Sequence, residues 1–251
     1  MAKILSVKNV SKSFGELIAV DNISFEVNEG EIFGIAGPNG AGKTTLFNLI
    51  TGIPFHGDSG QVLFHGQPIE KMRSHEIFKH GIARTFQKET AFDTLTVEQN
   101  VHVGAVFGGD GRREEISAAV SRALQILDLV NTRDRIAGEL PLYTKKRLMI
   151  ATAIVSNPSI LMLDEPAAGL NAIELSELEG LILSLHELGL TIIIIEHVLP
   201  LLFGISHRVM VMDFGRQLAE GIPEELAAND VVIEAYLGER GKESFYAVKG
   251  Q

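Results

Sequence analysis

The feature that most restricts how this chain can fold is Gly37-Pro38-Asn39-Gly40-Ala41-Gly42-Lys43-Thr44-Thr45, set between the apolar run Glu31 to Ala36 and the helical pattern Leu46 to Thr51. Gly-x-x-x-x-Gly-Lys-Thr, preceded by a strand and followed by a helix, is the phosphate-loop arrangement. It calls for an α/β core, in which a strand hands over to a helix N-terminus that attracts anions. Glycines let backbone N–H groups turn inward around phosphates. Lys43 adds a mobile cation, the Thr44 hydroxyl is placed to ligate Mg²⁺, and Thr45 can contact a phosphate oxygen. The expected cofactors are ATP and Mg²⁺.

The rest of the chain supports the same core. Glu31 to Ala36, Ile160 to Leu163, Thr191 to Ile195 and Val209 to Met212 are short, nearly continuous apolar runs, as parallel strands covered on both faces require. Ile4 to Phe14 and Ala19 to Val27 alternate with period two and predict an antiparallel layer with one wet face. Leu175 to Leu188, closed by Gly189, has helical spacing, as do Ile116, Ala119, Val120, Ala123, Leu124 and Leu127. No convincing strand lies between Lys88 and Pro158. The expected fold is α/β: a P-loop NTPase (RecA-like) core sheet with an antiparallel β layer and an inserted helical lobe. The core takes 1–87 and 159–238, the lobe 88–158, and a polar tail 239–251.

Composition excludes several roles. A net charge of −10 has the wrong sign for a nucleic-acid or anionic-membrane partner, so neither nucleic acid nor direct lipid insertion is expected. The absence of cysteine rules out disulfides and thiolate metal sites. Glu196 and His197 interrupt the longest apolar stretch, which is too short to span a membrane. The N-terminus lacks the apolar centre of an export signal.

A second chemical constellation lies downstream. Ile160-Leu161-Met162-Leu163 runs into Asp164-Glu165, a Walker B pattern that delivers two carboxylates at the C-terminal edge of a buried strand. Asp164 is placed to hold Mg²⁺ through its water, and Glu165 to orient and polarise the attacking water. His197, ending the isoleucine strand, could reach the γ-phosphate. Gln87, just before the helical lobe, could sense Mg²⁺ and that water.

Phosphate loop, glutamine, acid pair and strand-ending histidine, in this order, resemble the ATPase subunits of ABC transporters over nearly the whole chain. The resemblance implies that Phe14 stacks on adenine and Val20 lines the ribose. It also implies a second ATPase subunit, a paralogue packed head to tail, with transmembrane permease subunits and, indirectly, a solute-binding protein, at the cytoplasmic face of the cell membrane. Ala167-Ala168-Gly169-Leu170-Asn171, Ala235-Tyr236-Leu237-Gly238, Gly81 to Gln87 and Leu95 to Asn100 are similar to the group serving branched-chain amino acid importers, with relatives assigned to urea and short amides. A soluble ABC-type ATPase of translation or DNA repair would carry tandem cassettes or a long coiled-coil insert. A small-molecule kinase would need an acceptor pocket and lid.

One segment departs from the family pattern. The signature leucine-serine-glycine-glycine-glutamine aligns with Leu140-Pro141-Leu142-Tyr143-Thr144, followed by Lys145-Lys146-Arg147. Pro141 lacks both hydroxyl and N–H, and Tyr143 is expected to put bulk where backbone should approach phosphate. Either the site this segment caps is slow, or the helix dipole suffices.

Overall fold

The computed structural model describes residues 2–88, 90–108 and 112–235. They form two compact units, one comprising 2–71 and 193–235, the other 72–192. The first unit opens with β1 (Lys3–Phe14), β2 (Leu17–Asn28), β3 (Ile32–Ala36), α1 (Lys43–Thr51), β4 (Ser59–Phe64) and β5 (Gln67–Pro68). An antiparallel sheet in the order β2-β1-β4-β5 is the layer that the period-two patterns predict. Its buried face carries Leu5, Val7, Val10, Val20, Ile23, Phe25 and Val27. The alternation slips between Val7 and Val10. There Asn9 and Asn22 adopt left-handed backbone, and Asn9 Nδ2 donates to Asn22 Oδ1 at 2.9 Å. Asparagine tolerates that conformation, so each strand stays continuous across the irregularity.

All five residues of β3 are buried, as expected of a strand with two covered faces. The chain then turns into α1, which ends at Gly52 in a left-handed cap whose N–H donates to Asn48 O.

The second unit contains α2 (Ser74–Lys79), β6 (Ile82–Arg84), α3 (Val97–Gly108), α4 (Arg113–Ile126), α5 (Leu142–Ile154), β7 (Ile160–Asp164) and α6 (Ala172–Glu187). The apolar faces of α3, α4 and α5, including Val101, Val120, Ala123, Leu124, Leu148 and Ala151, are buried. β6 and β7 pair in parallel, with Ile82 beside Ile160 and Arg84 beside Met162. In this unit β6, β7 and α6 flank the described residues of 88–158. Among the described residues of 88–158 there is no strand, only an isolated bridge between Thr96 and Ile136.

The division between units falls within β8 (Thr191–Ile195). The first unit resumes with α7 (Leu199–Ile205), β9 (Arg208–Asp213), β10 (Arg216–Gly221) and α8 (Pro223–Ala227). β9 pairs in parallel with β3 and antiparallel with β10. Tyr236, Leu237, Gly238 and the tail 239–251 lie outside the described residues.

Candidate functional site

In the first unit, the glycine loop meets backbone that leaves no room for a side chain at Gly37 or Gly42. Gly37 has φ 151°, and a Cβ there would lie 2.3 Å from the carbonyl oxygen of Met212 in β9. Gly42 has φ 97°, and a Cβ there would lie 2.2 Å from the carbonyl oxygen of Ala19 in β2. Both positions therefore demand glycine for conformation and for space. The loop is further tied down by the Gly215 N–H, which donates to Ala41 O at 3.1 Å.

Gly42 is also the N-cap of α1, which has no side-chain cap and no acid in its first turn. The positive helix end is thus left for an external anion. Asn39, Gly40 and Thr44 are exposed along it, Thr45 is half-buried, and Pro38 is partly covered. Lys43 is buried, and its Nζ donates to Gly37 O at 2.6 Å and Pro38 O at 3.0 Å. The lysine folds back over the loop it serves.

Phe14 is 45% exposed at the end of β1 and meets Phe55 edge-on, with ring centroids 5.0 Å apart. Lys12 Nζ lies 5.5 Å from the Phe14 ring centre and 5.6 Å from that of Phe55. Phe55 and Lys12 carried no signal of their own in the sequence. Val20 corrects the ribose expectation: it is fully enclosed within β2, paired with Lys12, and offers no surface to a sugar. His197 has a side chain 47% exposed, with Nδ1 3.8 Å from Oε2 of the buried Glu196.

In the second unit, Asp164 ends β7, Glu165 follows it directly, and both are buried. Gln87 Nε2 donates to Glu165 Oε2 at 2.7 Å, so two of the residues singled out from the sequence are brought together. Glu165 has φ 47°, a left-handed conformation that strains a residue with a Cβ. Asp164 Oδ2 accepts from Arg84 Nη2 at 2.6 Å. The sequence reading gave Arg84 no role; a charged residue ending the buried strand Ile82-Ala83 was the signal available. Burial pushes the Arg84 guanidinium down from its ordinary pKa, and Asp164 opposes that shift.

The departing segment is less obstructive than its composition suggests. Pro141 is the N-cap of α5, with no side-chain cap. Tyr143, expected to project toward phosphate, is instead 8% exposed. Its ring lies 5.2 Å from the Arg147 guanidinium, and burial raises its phenol pKa. The missing hydroxyl and N–H remain; the steric objection does not.

The donor set fits ATP with Mg²⁺. Among the described residues no three His, Cys, Asp or Glu side chains gather to cage a metal. The Thr44 hydroxyl in the first unit and, in the second, the Asp164 carboxylate and Gln87 amide each offer a hard oxygen, the donor type Mg²⁺ takes.

The family model described as ABC transporter matches residues 20–168. The chain belongs to the ABC transporter family. A second family, described as Branched-chain amino acid ATP-binding cassette transporter, matches residues 216–242 of this ABC chain. The high-affinity branched-chain amino acid transport ATP-binding protein LivG of Salmonella typhimurium is 40% identical, over 94% of this chain and 98% of that protein. A nucleotide-free ATP-binding cassette from an ABC transporter superposes with a TM-score of 0.86 at 33% identity, covering 94% of this chain and all of that one. A dimeric cassette in a post-hydrolysis state, bound to ADP and Pi, gives 0.78 at 25% identity, covering 88% and 99%. As an ABC ATPase, the chain binds ATP with Mg²⁺ and couples hydrolysis to transport across a membrane. No helix among the described residues is long and apolar enough to cross that membrane.

Proposed function

We propose that the chain is the ATPase subunit of an importer for branched-chain amino acids or related amides, seated peripherally on the cytoplasmic face of the cell membrane. It pairs head to tail with a paralogous ATPase and drives two permeases supplied by a solute-binding protein. The match at 216–242 and the LivG likeness support the solute class. Gly37, Pro38, Asn39, Gly40, Ala41, Gly42, Lys43, Thr44 and Thr45 bind the phosphates, with Phe14 against the adenine. Asp164, Thr44 and Gln87 would hold Mg²⁺, which when bound offsets charge developing on the transferred phosphoryl group. Glu165 orients and polarises the attacking water, and His197 steadies the γ-phosphate.

The observation that carries the hydrolytic part is the 2.7 Å bond from Gln87 to Glu165, the carboxylate expected to orient the attacking water. Glu165→Gln in the assembled transporter should bind ATP as tightly as the parent while turnover and leucine uptake fall by about 10²-fold or more. Turnover above a tenth of the parental rate excludes Glu165 from that role.

A further inference from the structure

Arg84 closes β6, and its guanidinium meets Asp164 at 2.6 Å, with the two side chains only 4% and 1% exposed. Neighbouring parallel strand ends build this ion pair, and the Thr85 N–H, donating to Met162 O at 2.9 Å, fixes the turn-off from β6. The guanidinium also lies 5.1 Å from the Phe86 ring centre. Three residues beyond Arg84, Gln87 holds Glu165. One short segment, 84–87, thus grips both acids at the end of β7.

A carboxylate this enclosed needs an opposite charge close by. Without metal, Arg84 supplies it. With metal, Asp164 answers to two cations that repel each other. We propose that Arg84 is a positioning residue: a resident counter-ion that keeps Asp164 ordered between metal-loaded states and, by competing for the same carboxylate, holds metal affinity below what Asp164 alone would give. The inference rests on the reading of Asp164 as a Mg²⁺ ligand. It gives the chain a way to release metal with spent nucleotide without disordering the emptied carboxylate.

Coupling between two ligands of one group is reciprocal. Losing Arg84 must therefore tighten metal binding and, by the same factor, cost less stability in the loaded protein than in the metal-free one. A purely structural ion pair would cost the same in both states and leave metal affinity alone.

The test uses the full chain with a non-hydrolysable ATP analogue and Mn²⁺ followed by electron paramagnetic resonance, with melting temperatures taken in EDTA and in Mn²⁺ plus analogue. Arg84→Gln should bind Mn²⁺ at least about fivefold more tightly and lose more melting temperature in EDTA than when loaded. Arg84→Lys keeps the charge and should stay within about twofold of the parent. Unchanged or weaker Mn²⁺ binding by Arg84→Gln, or equal losses of melting temperature in both conditions, overturns the proposal. If Arg84→Gln folds only with Mn²⁺ and analogue, the proposal is supported; if it folds in neither, it is overturned. Asp164→Asn separates the two levels of inference. Should it leave Mn²⁺ binding intact, the ligand assignment itself fails; should it weaken binding while Arg84→Gln is neutral, only the role of Arg84 fails.

Discussion

Individual residues differ in how much of their role is written locally. The phosphate loop was legible because its chemistry needs only consecutive residues: glycine where φ is positive, lysine beside it, a hydroxyl next. Gly42 shows how tightly the fold then enforces that choice. At φ 97° and with a Cβ only 2.2 Å from Ala19 O, alanine there is strained twice over. Gly42→Ala should lose more than about 2 kcal/mol of stability and weaken ATP binding at least roughly tenfold. Calorimetric titration and thermal melting would check this, and parental values in both would refute the steric account. Val20 was misjudged for the opposite reason: whether a strand residue faces ligand or core depends on what packs on its face of the sheet, and Val20 is fully buried. Arg84 went unassigned because its partner is 80 residues away in sequence.

Among the elements, apolar periodicity located the helices but not their ends. The sequence pattern opens a helix at Leu175, whereas α6 starts at Ala172. The missing turn, Ala172-Ile173-Glu174, lies off the buried face and is built by Asn171, whose Oδ1 accepts from Ile173 N at 2.9 Å and Glu174 N at 3.1 Å. Glu174 completes the box by accepting from Asn171 N at 3.0 Å. Asn171-x-x-Glu174 has the spacing of a capping box, a start signal that apolar periodicity does not carry. Asn171→Ala should cost about 1 kcal/mol, or roughly 2–4 °C in melting temperature for a chain of this size. A shift under half a degree would mean that packing, not the cap, starts α6. β6 and β10 were missed because one is three residues long and the other carries Arg216, Gln217 and Glu220 in place of an apolar run.

For the whole molecule, the α/β architecture and its family were legible because several motifs had to occur in one order, a condition chance seldom meets. Its working unit nevertheless extends beyond one chain. Pro141 at the start of α5 offers neither hydroxyl nor N–H, so the nucleotide site capped by Leu140 to Thr144 should hydrolyse more slowly than the one formed on this chain's own loop. Single-turnover measurements on the assembled transporter, with each site blocked in turn, would register the inequality; equal rates would discard it. The buried Tyr143 also makes the family signature costly to install here. Replacing it with glycine, as the family signature has, would empty a ring-sized space beside Arg147, at a cost on the order of 3–5 kcal/mol. Grafting the family signature onto this chain would therefore require refilling that space before any gain in catalysis could be read.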